Sequence, residues 1–174
     1  MSTSCIIGAP SAPSPVQHPA EGDDGAETIS TTADRGDLRD TNVLAYAHDL
    51  SDSRRRPIAA QLLDDLWRNR EGVLSTQVLT EFYAAVTRKF DPAMPRREAR
   101  ALVDAYAAWP VVQVDPTLIV AASALDEQHT LSFWDALIIE AARRAGANRL
   151  VSEDLQHGRR IAGLVISNPF LLSP

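Results

Sequence analysis

The chain has 174 residues, 45% of them hydrophobic, and a formal charge of −6; this suits one ordinary globular domain and excludes a wholly disordered chain. No apolar run approaches the roughly 18 residues that span a bilayer, and the first basic residue is Arg35, which argues against a secretory leader and for a cytoplasmic protein. The single cysteine, Cys5, excludes an internal disulfide and a thiolate metal site, while His18, His48, His129 and His157 offer no H-E-x-x-H pair for zinc.

Residues 1–36 are rich in Ser, Pro, Ala, Thr and Gly and show no sustained periodicity. Such a stretch buries too little apolar area to offset its ordering entropy, so it is expected to be a disordered tail ahead of a domain at 37–174. Asn42–Leu50 reads as a short helix. Ile58, Leu62, Leu63 and Leu66 recur at helical spacing, and Pro57 is tolerated in a first turn. A brief strand is expected at Gly72–Ser75, then helices over Val78–Phe90 and Arg96–Ala108. Pro110 opens a strand at Val111–Val114. Helices follow at Leu118–His129 and Phe133–Ala145, the latter stopped by Gly146. Strands at Arg149–Val151 and Leu164–Ile166 complete an α/β pattern, a small central parallel sheet of about four strands flanked by helices. His157 reads as an exposed helix residue, with a phosphate contact as the alternative. Phe133 and Trp134 read first as packing residues, with base stacking as the alternative.

In open parallel sheets the site lies beyond the C-terminal strand ends. Of four candidate carboxylates, three fall at such places: Asp40 opening D-T-N-V-L, Glu81 one turn into the helix after GVLS, and Asp154 just after Leu150-Val151; Asp135 sits in the first turn after Ser132. Each also has a structural reading. Asp40 and Ser152 could be N-caps, Asp154 could favour a helix dipole, Ser132 to Asp135 could form a capping box, and Glu81 could be solvated. Carboxylates crowded together repel, and a hard divalent cation relieves that conflict with oxygen ligands while leaving positions for a phosphate.

The blocks D-T-N-V-L-A-Y-A from Asp40, S-T-Q-V-L-T-E-F-Y to Tyr83, L-S-F-W-D-A-L-I around Asp135 and S-E-D-L-Q-H-G around Asp154 stand in that order. Together they resemble the PIN-domain ribonucleases, and their VapC-type toxin branch most closely, over about 130 residues. The resemblance implies a PIN-like parallel sheet with flanking helices and Mg²⁺- or Mn²⁺-dependent endonucleolytic cleavage of RNA. It also implies an antitoxin partner and a homodimer. Residue by residue, Asp40, Glu81, Asp135 and Asp154 match the family's acidic quartet as catalytic metal ligands. Thr41 or Asn42, and Ser152, match its polar supporting positions. Glu153 is a neighbouring fifth acid. The alternative reading is a non-catalytic PIN-like module that binds RNA or an antitoxin.

The resemblance has one departure. The family's first strand carries three or four apolar residues, whereas Gly36-Asp37-Leu38-Arg39 offers only Leu38, so a short or loosely held strand is expected. Charge permits RNA without demanding it. The tail holds five acids against Arg35, which leaves 16 basic and 18 acidic residues beyond it. All but one of those bases are Arg, the side chain suited to bidentate phosphate contacts. Arg159 and Arg160 could grip RNA or simply be solvated.

Overall fold

Strand and helix signals alternate along the chain, and the computed structural model, in which residues 37–171 are described, converts them into one mostly parallel sheet with helices on both faces. The expected tail at 1–36 lies outside the described residues. Strand β1 (Asp37–Arg39) is followed by helices α1 (Thr41–His48) and α2 (Arg55–Asn69), then by β2 (Gly72–Ser75). Next come α3 (Thr76–Arg88), α4 (Arg96–Tyr106) and β3 (Val111–Val112). The chain continues through α5 (Pro116–His129), α6 (Phe133–Arg144), β4 (Arg149–Val151), β5 (Arg160–Ile161) and β6 (Leu164–Ser167). The strand order is β3-β2-β1-β4-β6-β5. All neighbours are parallel except β5 and β6, which form an antiparallel edge.

Six strands replace the expected four or so. The addition from the sequence reading is β5, which pairs with β6 through Arg160–Val165 and Ile161–Leu164. Ala162 and Gly163 join them with φ of 50° and 89°, the two positive angles that a tight two-residue hairpin turn requires. The segment from Ser152 to Arg159 carries no helix, so His157 is not a helix residue. Its Nδ1 accepts the Asn168 backbone N–H at 3.1 Å and ties the loop to the end of β6.

The first strand forms despite its polar composition, and it is the centre of the sheet. Leu38 is fully buried and pairs in register with both Val73 and Leu150. Asp37 forms an ion pair with Arg149 on β4, with Nε 2.8 Å from Oδ2, so one of the two polar flanks is paired along the strand. Two neighbouring strands supply the backbone partners that a long apolar run would otherwise have to hold by packing.

Strand alternation divides the core between two faces. Leu38, Val73, Leu150 and Ile166 pack with α5 and α6, including Leu118, Leu125, Leu137 and Ile139. Leu74 and Val151 pack with the helices α1 to α4 around Val43, Leu63, Phe82 and Trp109. Gly72 marks a close approach on the second face, because a Cβ there would fall 2.4 Å from ring carbons of Trp109.

Candidate metal centre

The strand order sets the place of the site. The chain runs outward from β1 through β2 to β3, then returns to the other side of β1 to lay down β4. The C-terminal ends of β1 and β4 therefore flank a topological switch point, where an open α/β sheet leaves a crevice. Asp40 follows β1, and its backbone N–H donates to the carbonyl of Val151 at 3.0 Å. Ser152 follows β4, and its N–H donates to the Ser167 carbonyl at 3.0 Å. Both positions are thus fixed by the sheet.

Each acid is held by a hydroxyl or amide from another part of the site. Asp40 caps α1, its Oδ1 accepting the Thr41 N–H at 2.6 Å while Oδ2 accepts the Ser152 hydroxyl at 2.6 Å. Glu81 stands on α3, which is capped by the buried Ser75. It accepts the Thr41 hydroxyl at 2.7 Å and the Gln77 amide at 2.9 Å. Asp154 accepts the Asn42 amide at 2.5 Å, and its own N–H donates to Ser152 Oγ at 3.2 Å. Asp135 lies in the first turn of α6, where Ser132 caps the helix by accepting its N–H at 3.1 Å and donates its hydroxyl to Oδ2 at 2.7 Å. Ser132 is thus a true N-cap, but the reciprocal bond of a capping box is replaced by one to the Ser132 hydroxyl, and the Asp135 charge is felt by Asp154.

The electrostatics link all four acids. Burial pushes the Asp40 carboxyl up to about 6, opposed by its bonds to Ser152 and Thr41 and reinforced by the charges of Asp154 and Glu81. Asp154 is raised first by burial, then by the charges of Glu153 and Asp135, with the Asn42 amide acting the other way. No cation enters either balance. Glu153 belongs to a different arrangement: it accepts the Tyr46 hydroxyl and lies 3.2 Å from Arg55 Nε, while the Arg55 guanidinium sits 4.8 Å from the Tyr46 ring centroid.

The donor set is entirely oxygen and anionic, which fits a hard divalent cation. Among the described residues, however, no group of three acidic, histidine or cysteine side chains is placed to hold a metal ion as it stands. Each carboxylate is instead engaged by a hydroxyl or amide.

Two further residues support the acids. Gln77 orients Glu81 from one turn earlier on α3, an i, i+4 pair whose spacing is visible in the sequence. Ser132 both caps α6 and bonds the Asp135 carboxylate. Trp134 departs from the expected packing role, since it is 63% exposed while its neighbour Phe133 packs against the core. Arg159 donates to the His129 carbonyl at 3.2 Å, and Arg160 stands exposed on β5.

Fold and site together define a small α/β domain with an acidic centre at the strand ends. Residues 38–163 match the PIN domain family, and the chain belongs to that family, whose members are in general nucleases that use divalent metal ions. Solved structures share the fold at low identity. The toxin–antitoxin complex from Klebsiella pneumoniae is 19% identical, with a TM-score of 0.57 over 77% of this chain and 98% of its own. VapBC2 from Rickettsia felis, bound to a promoter DNA fragment, is 20% identical with a TM-score of 0.54 over 76% and 97%. VapC20 of Mycobacterium tuberculosis, described as a sarcin–ricin loop cleaving toxin, is 21% identical with a TM-score of 0.53 over 66% and 87%. No curated protein matches the chain. Among the described residues no helix is long and apolar enough to cross a membrane.

Proposed function

We propose that this chain is a metal-dependent endoribonuclease acting as the toxin of a toxin–antitoxin pair. The observation that carries the reading is the acidic centre itself: Asp40, buried and pushed up to about 6, shares a charge balance with Glu81 and Asp154, and Asp154 shares one with Asp135. Buried carboxylates without a cationic partner cost stability, and function is the usual reason to keep them. Asp40, Glu81, Asp135 and Asp154 would hold Mg²⁺ or Mn²⁺. Bound there, the ion would supply a polarised water and charge stabilisation for phosphodiester hydrolysis.

The chain's own residues perform the positioning. Ser152 and the Thr41 N–H fix Asp40. The Thr41 hydroxyl and Gln77 hold Glu81, and Asn42 holds Asp154. The VapBC2 structure and the Klebsiella complex support an antitoxin partner and a homodimer by analogy of fold. A domain at 37–174 behind an N-terminal tail, and a cytoplasmic location, complete the proposal.

A second reading is a non-catalytic module that binds RNA or an antitoxin, and it is favoured by the lack of a ready-made three-ligand cluster among the described residues. Incubating the chain with RNA in Mg²⁺, Mn²⁺ or EDTA separates the two. Internal cleavage that needs the metal and disappears in Asp40→Asn supports the nuclease. Binding without cleavage under every condition supports the module.

A further inference from the structure

The first turn of α6 places two large aromatics side by side and treats them oppositely. Phe133 packs into the core beneath α5 and α6, whereas Trp134 is 63% exposed. An indole offers one of the largest apolar surfaces of any side chain, so leaving it in water forgoes substantial burial energy. The rest of the helix wastes nothing of the kind, since Ala136 to Ile139, Ala141 and Ala142 are all buried. Trp134 is also tied to the acidic centre. Its carbonyl lies 3.4 Å from Gln77 Nε2, the same nitrogen that donates to Glu81, and the next residue is Asp135. Phe133 braces the indole edge-on, with ring centroids 6.0 Å apart at 64°.

Its surroundings match a nucleobase better than a protein partner. Ser132 and Asp135 flank it with polar groups. The exposed Ile119 and Val120 lie in the first two turns of α5, about 15 Å along the helix from the end that turns into α6. Every base presents a π-face, and an unpaired base, unlike one inside a duplex, is free to lay it on an indole. We propose that Trp134 is a stacking platform for an unpaired base beside the scissile phosphodiester, and that it directs the acidic centre to single-stranded RNA. This deepens the nuclease reading: Trp134 positions substrate and takes no part in the chemistry.

The test uses the full chain and a fluorescein-labelled single-stranded decaribonucleotide of mixed sequence, alone or annealed to its complement. Anisotropy gives affinity with cleavage suppressed by EDTA, and Mn²⁺ then gives turnover. The Trp134→Ala chain should bind the single strand about 10-fold more weakly, with duplex binding and melting temperature unchanged. Trp134→Phe should recover most of the affinity, whereas Trp134→Leu, apolar without a π-face, should not. In turnover the alanine variant should raise KM more than it lowers kcat. Equal affinity of parent and Trp134→Ala, with the parent still cleaving, overturns this inference and leaves the nuclease reading intact. Trp134-dependent binding by a parent that never cleaves does the reverse. A parent that neither binds nor cleaves removes both. If Trp134→Ala converts a dimer to a monomer in sedimentation, the indole is a protein contact and the inference fails.

Discussion

At the scale of single residues, capping and ligation make opposite demands that one substitution separates. Asp135→Asn preserves the Ser132 cap, because that bond runs from the backbone N–H to Ser132 Oγ, and an amide oxygen can still accept the Ser132 hydroxyl. Were Asp135 only a helix-start residue, the change would cost at most about 1 kcal/mol and leave activity intact. As a member of the acidic centre it raises Asp154, so removing its charge should hold or increase the metal-free melting temperature. RNA cleavage should meanwhile fall by orders of magnitude, and Mg²⁺ should stabilise the variant less than the parent. Cleavage at the parental rate would take Asp135 out of the centre. As candidates, Asp40, Asp135 and Asp154 stood out by their places near strand ends and helix starts, whereas Glu81, well inside α3, and Thr41, Asn42 and Ser152 stood out through the motifs that resemble the PIN family. Which hydroxyl serves which carboxylate was not legible. The bonds Thr41 to Glu81 and Asn42 to Asp154 cross 40 and 112 residues, and only the fold brings them together.

At the scale of elements, the loop that carries Asp154 has no helix to stiffen it and is instead pinned to α1 and α2. Tyr46 donates to Glu153, Arg55 pairs with the same carboxylate, and Phe170 meets the Tyr46 ring edge-on with centroids 5.3 Å apart. Tyr46→Phe deletes one of these ties and keeps the ring packing. It should lower stability by about 1 kcal/mol in urea unfolding. Cleavage should weaken several-fold while RNA affinity holds, since Asp154 loses orientation and the RNA surface keeps its shape. A rate equal to the parent's would show that the Tyr46 tie does not orient Asp154 and that Asn42, Ser152 and the Arg55–Glu153 pair suffice. On β2, Gly72→Ala drives a Cβ into the Trp109 ring and should cost about 1–3 kcal/mol through overpacking, read as a lower urea midpoint with an unchanged slope. Most elements were legible from periodicity, with some ends matched and the others displaced by up to three residues. Strand β1 is short, as its single apolar residue implies, but its composition could not report that two neighbours would pair with it. The β5–β6 hairpin hides behind Ala162, a residue with no turn signature that nonetheless adopts φ of 50°.

At the scale of the whole molecule, two buried groups titrate in the same window with opposite effects on stability. The Asp40 carboxyl, ordinarily near 3.8, is pushed up to about 6, so between those values the folded chain holds a proton that the unfolded chain has released. That makes stability fall as pH rises. His48 is pushed down to about 4, chiefly by burial and then by Arg56, while its Nε2 sits 2.8 Å from the Tyr106 hydroxyl. Between about 4 and 6.5 the unfolded chain therefore holds the extra proton, and stability rises with pH. Each shift of roughly two units corresponds to about 3 kcal/mol at most. Without metal the two slopes oppose each other, and the parent's unfolding free energy should change little from pH 4 to 6.5. Asp40→Asn should leave the His48 slope, opposed in part by Asp154, and become more stable toward neutral pH. His48→Gln should leave the slope of Asp40, with Asp154 adding to it, and become less stable over the same range. Adding Mg²⁺ gives the parent a third behaviour. A cation competes with the proton on Asp40, so its stabilisation should be slight near pH 4 and grow through pH 6, turning a flat profile into a rising one. In Asp40→Asn that growth should be absent. Urea unfolding of the three chains, each with and without Mg²⁺, gives all six profiles, and a parent profile that Mg²⁺ leaves flat would dissociate Asp40 from any metal.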